Sequence, residues 1–139
     1  MESEDVSVKG LADFDEKYFH SIAEDGEDEW IASGMKNCKN QRYYTVLGKN
    51  DVKLGIVGVY DTDDDRNITH ILIDPEFRGK GLLQKFYAQL MRKEKLPFLT
   101  ATINIDNIVS VKSHEKAGFE KVSDKAFEDK YHKYKYIKR

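Results

Sequence analysis

A single cysteine, Cys38, stands among 139 residues, which excludes an internal disulfide. Neither Cys38 nor the four scattered histidines have metal-ligand spacing, so no metal is expected. Nothing in the sequence places a base beside Cys38, and it reads as incidental. Prolines are nearly as scarce, with only Pro75 and Pro97, and there is no internal repeat or low-complexity linker. A single domain over residues 1–139 is therefore expected, long enough to bury a core without disulfide or metal staples. Long apolar runs are missing too. The opening Met1-Glu2-Ser3-Glu4-Asp5 is acidic, and no run after it suits a signal peptide or a membrane span. The expectation is a cytoplasmic protein with no membrane partner.

What is present is charge and apolar bulk in proportion. Charged residues at 35% and apolar ones at 40% suit a folded domain with a solvated surface rather than a disordered chain. The net charge of -2 conceals a division: residues 1–65 carry about -9 and residues 66–139 about +7. The acidic runs Glu24-Asp25-Gly26-Glu27-Asp28-Glu29 and Asp63-Asp64-Asp65 point to a cationic partner, and the basic half to an anionic ligand. Two solvated faces that attract each other are the alternative. Tyr134 and Tyr136 alternate with Lys133 and Lys135 in the tail, which reads as a strand whose lysines guard an edge. No nucleic-acid partner is expected.

The apolar spacing predicts a first strand around Val6 and Val8 and a helix from Phe14 to about Ala23. A short helix around Glu29 to Met35 follows. Gln41–Leu47 and Leu54–Tyr60 form a hairpin around Gly48-Lys49-Asn50-Asp51. Ile68–Ile73 is a fourth strand, stopped at Asp74-Pro75 because proline supplies no ladder donor. Leu82, Leu83, Phe86, Tyr87, Leu90 and Met91 recur at helical spacing up to about Lys93. A strand at Phe98–Ile105, a helix from Asn107 to Lys116 with Gly118 as its C′ residue, and strands at Glu120–Ser123 and Tyr131–Ile137 complete the order. This is a mixed α/β or α+β sheet.

The segment Ile71-Leu72-Ile73-Asp74-Pro75-Glu76-Phe77-Arg78-Gly79-Lys80-Gly81-Leu82-Leu83 joins a buried strand to a buried helix through two glycines and two cations. That is anion-binding chemistry: a helix start offers unbonded N–H groups and partial positive charge, and glycine lets phosphate oxygens close on the backbone. A P-loop would need four residues between the glycines and Ser or Thr after the lysine. A dinucleotide fingerprint would need a third glycine where Gln84 stands. Neither fits.

Arg78-Gly79-Lys80-Gly81-Leu82-Leu83 does resemble the CoA-pyrophosphate loop of the GCN5-related N-acetyltransferases (GNAT), Arg/Gln-x-x-Gly-x-Gly/Ala after an Asp-Pro-Glu-aromatic turn. Leu83 departs from it, since the family prefers Gly or Ala there. Asn107-Ile108-Val109-Ser110-Val111-Lys112-Ser113-His114-Glu115-Lys116-Ala117-Gly118-Phe119 resembles the family's later block, in which Asn-x-x-Ala/Ser opens a helix and Tyr-Glu-Lys-x-Gly-Phe ends it. Asn107, Ser110 and His114 share one helix face.

The resemblance implies an acyl-CoA N-acyltransferase fold, a mostly antiparallel sheet of six to seven strands with four flanking helices, whose fourth and fifth strands splay to admit pantetheine. It implies acetyl-CoA as co-substrate and direct acetyl transfer to a primary amine, by a monomer or homodimer. Main-chain groups of Ile71, Leu72 and Ile73 would meet the pantetheine, with an N–H near Leu72 polarising the thioester. Arg78, Gly79, Lys80, Gly81, Leu82 and Leu83 would hold the pyrophosphate, and Asn107 and Ser110 would line the cofactor. His114 stands where family members often carry an acid tyrosine, and His70 on the fourth strand is the candidate base, with Glu24 and Glu29 behind it. The other readings are a surface histidine at 114 and a hydrogen-bonded, partly buried one at 70. A catalytically weak acyl-CoA sensor of the same fold is the alternative function.

Overall fold

The computed structural model describes residues 7–23, 38–63, 65–122 and 130–137. A hairpin organises the sheet: β2 (Lys39–Gly48) and β3 (Lys53–Asp61), rich in Tyr, Thr, Val and Ile, pair antiparallel across a 3₁₀ turn at Lys49–Asp51. β1 (Val8–Asp13) adds antiparallel to β2, and β4 (Ile68–Ile73) antiparallel to β3. The chain then crosses over through α2 (Leu82–Glu94), so that β5 (Phe98–Asn104) lies parallel to β4. β7 (Tyr131–Ile137) pairs antiparallel with β5, and the two-residue β6 (Glu120–Lys121) covers its far side. The result is a seven-stranded, mostly antiparallel sheet in the order β1-β2-β3-β4-β5-β7-β6.

The expected mixed architecture is present. Among the described residues three α-helices flank the sheet: α1 (Glu16–Ile22), α2 and α3 (Ile108–Lys116). The expected helix around Glu29–Met35, the candidates Glu24 and Glu29, and Val6 lie outside the described residues. One expectation is corrected: β7 is an interior strand rather than a guarded edge, with Tyr134 buried in the core and Lys133 paired with Asp65 at 2.6 Å.

Two cores separate the faces of the sheet. On one, α2 buries Leu82, Phe86, Tyr87, Leu90 and Met91 against Val46, Val57, Val59, Leu99 and Ala101. Removing five such side chains from water is worth on the order of 10 kcal/mol before entropy is counted. Leu54 joins this core because it is a bulge residue, extra between the pairs Val46↔Gly55 and Leu47↔Lys53. On the other face Phe19 of α1 packs on Ile56 and Leu72. α1 starts at Asp15, whose carboxylate accepts the Tyr18 N–H at 3.0 Å.

Helix α3 ends as expected at Gly118, which takes φ +103°, and the Phe119 N–H returns to the His114 carbonyl at 3.0 Å. This closure sets the Phe119 ring edge-on to His114, with centroids 5.0 Å apart.

One glycine decides how the second face is built. Tyr43, Gly58 and His70 are register neighbours across β2, β3 and β4. With no side chain at 58, the Tyr43 and His70 rings meet over the gap, stacked at 5.8 Å and 11°. A Cβ at 58 would strike the Tyr43 ring and lie 2.5 Å from the Arg42 carbonyl oxygen. Gly58→Ala is therefore expected to destabilise the fold by about 3 kcal/mol, read as a fall in the urea midpoint.

Candidate active site

β4 and β5 make one register pair, Ile68↔Thr100, and then diverge. Backbone direction in the resulting wedge follows from two hydrogen bonds. The Asp74 N–H donates to Leu54 on β3 at 2.9 Å, and the Thr100 N–H donates to Asn67 at 2.9 Å. Because antiparallel strands alternate the side to which they bond, Leu72 turns its N–H and C=O to Ile56 of β3. Ile71 and Ile73 turn theirs to the wedge. The same alternation on β5 turns Thr102 and Asn104 toward the wedge from the opposite arm. Leu72 was expected to present main-chain groups here. Its backbone instead serves the β3 ladder, while its side chain packs with Phe19 and Ile56.

A cavity of about 210 Å³ occupies the wedge, lined by Ile71, Thr69, Tyr87, Asn107, Ser110 and both histidines, among others. Among the described residues no Asp, Glu, Lys or Arg lines it. The Asn107 side chain caps α3, accepting the Ser110 N–H at 3.1 Å. A second cavity of about 290 Å³ follows at the wide end of β4, between the glycine turn and α3, and touches Ile73, Gly79, Gly81, Leu82 and Leu83. The structure thus gathers the sequence-selected residues into two adjoining cavities, except for Leu72 and the exposed cations Arg78 and Lys80.

The glycine turn is built as a receptive helix start. Asp74 caps a 3₁₀ turn at Pro75–Phe77, accepting the Glu76 N–H at 3.0 Å. Its other oxygen accepts the Tyr18 hydroxyl at 2.8 Å, which ties α1 to the turn. Gly79 and Gly81 take φ +79° and +71°, and nothing lies within 4 Å of where a Cβ would stand on either. Gly81 is the N-cap of α2 and supplies no side-chain cap, leaving the first N–H groups of a 13-residue helix pointing outward beside Lys80. Leu83 packs in part against the core and also lines the cavity beside the glycines. Arg78 folds back, its Nε–H donating to the Ile73 carbonyl at 3.0 Å.

Both histidines are held neutral by burial. His70 stacks on Tyr43, lies 4.6 Å from the Tyr60 ring, and has its Nδ1 2.9 Å from the Tyr43 hydroxyl. Loss of water pushes its pKa down to about 3, too low for a base that must compete for an amine's proton. His114 is 3% exposed. Its Nδ1–H donates to the Ser110 carbonyl at 2.8 Å, and its Nε2 lies 2.8 Å from the Tyr87 hydroxyl. Burial lowers its pKa, against a smaller opposing effect of the Ser110 bond. An imidazolium acid at 114 does not suit this environment. The same burial raises the phenols of Tyr43 and Tyr60 to about 12.

Sequence reasoning missed Tyr87, Thr69, Thr102 and Asn104. Only Tyr87 carried a signal, a hydroxyl on an otherwise apolar helix stripe, which needs a partner once buried. Of the Asp63–Asp65 run the described residues are both paired, Asp65 with Lys133 and Asp63 with Lys39. These two lie beyond the closed end of the wedge, before Ile68, and their charge is answered within the chain.

Residues 6–120 match the acetyltransferase (GNAT) domain family. The chain belongs to the GNAT acetyltransferase family. No curated protein sequence matches it. Among solved structures, a chimera of the Vibrio cholerae spermidine N-acetyltransferase SpeG and hSSAT aligns with TM-score 0.65 at 15% identity, covering 96% of both chains. A mutant form of the V. cholerae spermidine/spermine N-acetyltransferase SpeG aligns with TM-score 0.56 at 16% identity, over 70% of this chain and 64% of its own. An acetyltransferase of Agrobacterium tumefaciens gives TM-score 0.56 at 14% identity, over 70% and 61%. The chain thus spans less than two thirds of the length of these last two. At such identities the likeness shows the GNAT fold. No described helix is long and apolar enough to cross a membrane.

His70 and His114 of this GNAT domain set a pH dependence. Their folded pKa values lie below the ordinary 6.5, so between those values and 6.5 the unfolded chain binds more protons. Stability then rises with pH through that window and is lost as pH falls below about 6.5. His70 contributes a slope approaching about 1.4 kcal/mol per pH unit, and His114 adds to it in the same direction. Urea midpoints measured from pH 7.5 to 5 should fall on this slope, and His70→Gln should remove about one proton's share of it.

Proposed function

We propose that this chain binds acetyl-CoA along the wedge and the glycine turn and transfers the acetyl group directly to a primary amine. The observation that carries this reading is the divergence of β4 and β5. It leaves main-chain groups of Ile71, Ile73, Thr102 and Asn104 turned toward a gap that a strand-like ligand would fill. Pantetheine, an extended chain with two amides, suits that gap. The glycine turn lies at its wide end, where Gly79, Lys80, Gly81 and the first N–H groups of α2 suit a pyrophosphate. Arg78 would join them by releasing the Ile73 carbonyl.

In the reaction a neutral amine attacks the thioester carbonyl. The wedge-facing N–H groups of Ile71 and Ile73 are the candidates to stabilise the oxyanion, in the place first assigned to Leu72. Asn107 and Ser110 stand along the same cavity. His70, neutral and bonded to Tyr43, serves as part of an aromatic wall rather than as the base. The amine therefore has to lose its proton to solvent or reach the site already neutral. The acceptor is a primary amine, and the acidic half of the chain favours a cationic one.

A second reading, an acyl-CoA-binding module with little turnover, is favoured by one observation: among the described residues no wedge-lining side chain is a carboxylate, lysine or arginine, and both histidines are held neutral. Acetyl-CoA incubated with a panel of amines that includes spermidine, with thiol release as readout, separates the two. Amine-dependent release is expected, and tight binding without release across the panel supports the module. Acetyl-CoA at a hundred times its dissociation constant should stabilise the fold by about 2.7 kcal/mol, seen as a rise in Tm. Lys80→Ala should weaken binding several-fold, more at low salt than at high. No shift in Tm at millimolar acetyl-CoA or CoA would overturn the proposal.

A further inference from the structure

Where the resemblance implies an acid tyrosine this chain carries His114, and a tyrosine from another helix places its hydroxyl against that histidine. Tyr87 rises from α2, is 3% exposed, and lines the wedge cavity with its hydroxyl 2.8 Å from His114 Nε2 and 3.2 Å from Thr69 Oγ1. The protons in this cluster can be assigned. The Ser110 carbonyl only accepts, so His114 Nδ1 carries hydrogen, and in neutral imidazole Nε2 must then accept. Tyr87 O–H is the donor to Nε2, and the Thr69 hydroxyl donates to the Tyr87 oxygen. Ring contacts with Phe119 at 5.3 Å and with His114 at 5.5 Å fix the phenol.

We infer that Tyr87 is the hydroxyl that faces the thioester sulfur and protonates it as it leaves, with His114 as the residue that positions it. The inference rests on the acetyl-CoA reading above. A histidine ring is shorter than a phenol, and the Tyr87 hydroxyl makes up the difference at the end of His114. Among the hydroxyls lining the wedge, Thr69, Thr102, Ser110 and Tyr87, only Tyr87 is a phenol, intrinsically a far stronger acid than an alcohol. Burial raises its pKa further, so at working pH the group is a donor and never a phenolate at rest.

The step balances within the reacting groups. Amine attack gives a tetrahedral adduct with positive nitrogen and negative oxygen. On collapse the C–S bond breaks and its electron pair stays on sulfur. Tyr87 O–H turns from Nε2 to the sulfur and gives up its proton, and the phenolate takes one from the nitrogen of the new amide. The products are the N-acetylated amine, free thiol and neutral Tyr87.

Tyr87→Phe removes the hydroxyl and keeps the ring, so the core is retained. CoA and desulfo-CoA, which lacks the thiol, are the probes. Wild type is expected to prefer CoA about tenfold at mildly alkaline pH, where the thiolate forms, and Tyr87→Phe to bind the two alike, with desulfo-CoA affinity unchanged. With the panel amine that gives the fastest thiol release, kcat should fall about 100-fold in Tyr87→Phe while KM for acetyl-CoA stays within about twofold. His114→Gln, whose Oε1 accepts the Tyr87 O–H, should retain several-fold more turnover than His114→Leu, a rescue that loss of packing alone would not give. Wild type failing to bind CoA overturns the acetyl-CoA reading and this inference with it. CoA binding with an undiminished preference over desulfo-CoA in Tyr87→Phe overturns the inference alone and leaves Tyr87 a core residue.

Discussion

The parting of β4 from β5 after the single pair Ile68↔Thr100 is the constraint on which the rest of this structure depends. A sheet interrupted in its middle leaves backbone donors and acceptors that neighbouring strands would otherwise satisfy, and buried groups of that kind cost about 1–3 kcal/mol each when unpaired. Each arm of the wedge is held from its outer side, β4 by antiparallel pairing with β3 and β5 by pairing with β7. The crossover through α2 spans the gap on one face, and its buried stripe anchors both arms to one core. Both arms of the gap are thus fixed by the sheet on their outer sides and by the core beneath α2.

The wedge and the glycine turn divide the electrostatic work. The turn is basic and ends in an uncapped helix start, suited to an anion held near solvent. The wedge is lined by neutral groups, and its two histidines have lost their ordinary basicity to burial. Proton chemistry there has to be carried by hydroxyls and imidazoles in fixed hydrogen-bond roles rather than by charged side chains. The Tyr18–Asp74 bond joins the α1 side of the sheet to the turn, so the two faces meet at a carboxylate that also shapes the glycine segment.

Much of the fold was legible in the sequence because its signals are local. The stripe Leu82–Met91 predicted α2 to within a residue or two, the Tyr- and Val-rich runs predicted the β2–β3 hairpin, and Gly118 marked the end of α3 as a residue with positive φ. The alternation of Lys133–Tyr136 misled in one respect. A lysine-studded strand reads as an edge, yet β7 lies between β5 and β6, since strand order depends on pairing with distant partners. The glycine turn was readable from Gly79 and Gly81 because positive φ and bare backbone are properties of the residue itself.

The sequence by itself determined which residues form the turn, the helix faces and the two motifs, since helical and strand periodicity fix each residue's neighbours within a few positions. Tertiary structure alone decided that Ile71 and Ile73, rather than Leu72, face the wedge, because that choice depends on which side of β4 the β3 ladder occupies. It also decided the chemistry of the histidines. His70 lost its basicity to burial beside Tyr43, in a stack that Gly58 permits, and His114 Nε2, left an acceptor by the Nδ1–H bond to Ser110, meets the hydroxyl of Tyr87, 27 residues away in the chain. Burial and donor direction are set by side chains converging from separate elements, and no spacing within a single segment records them.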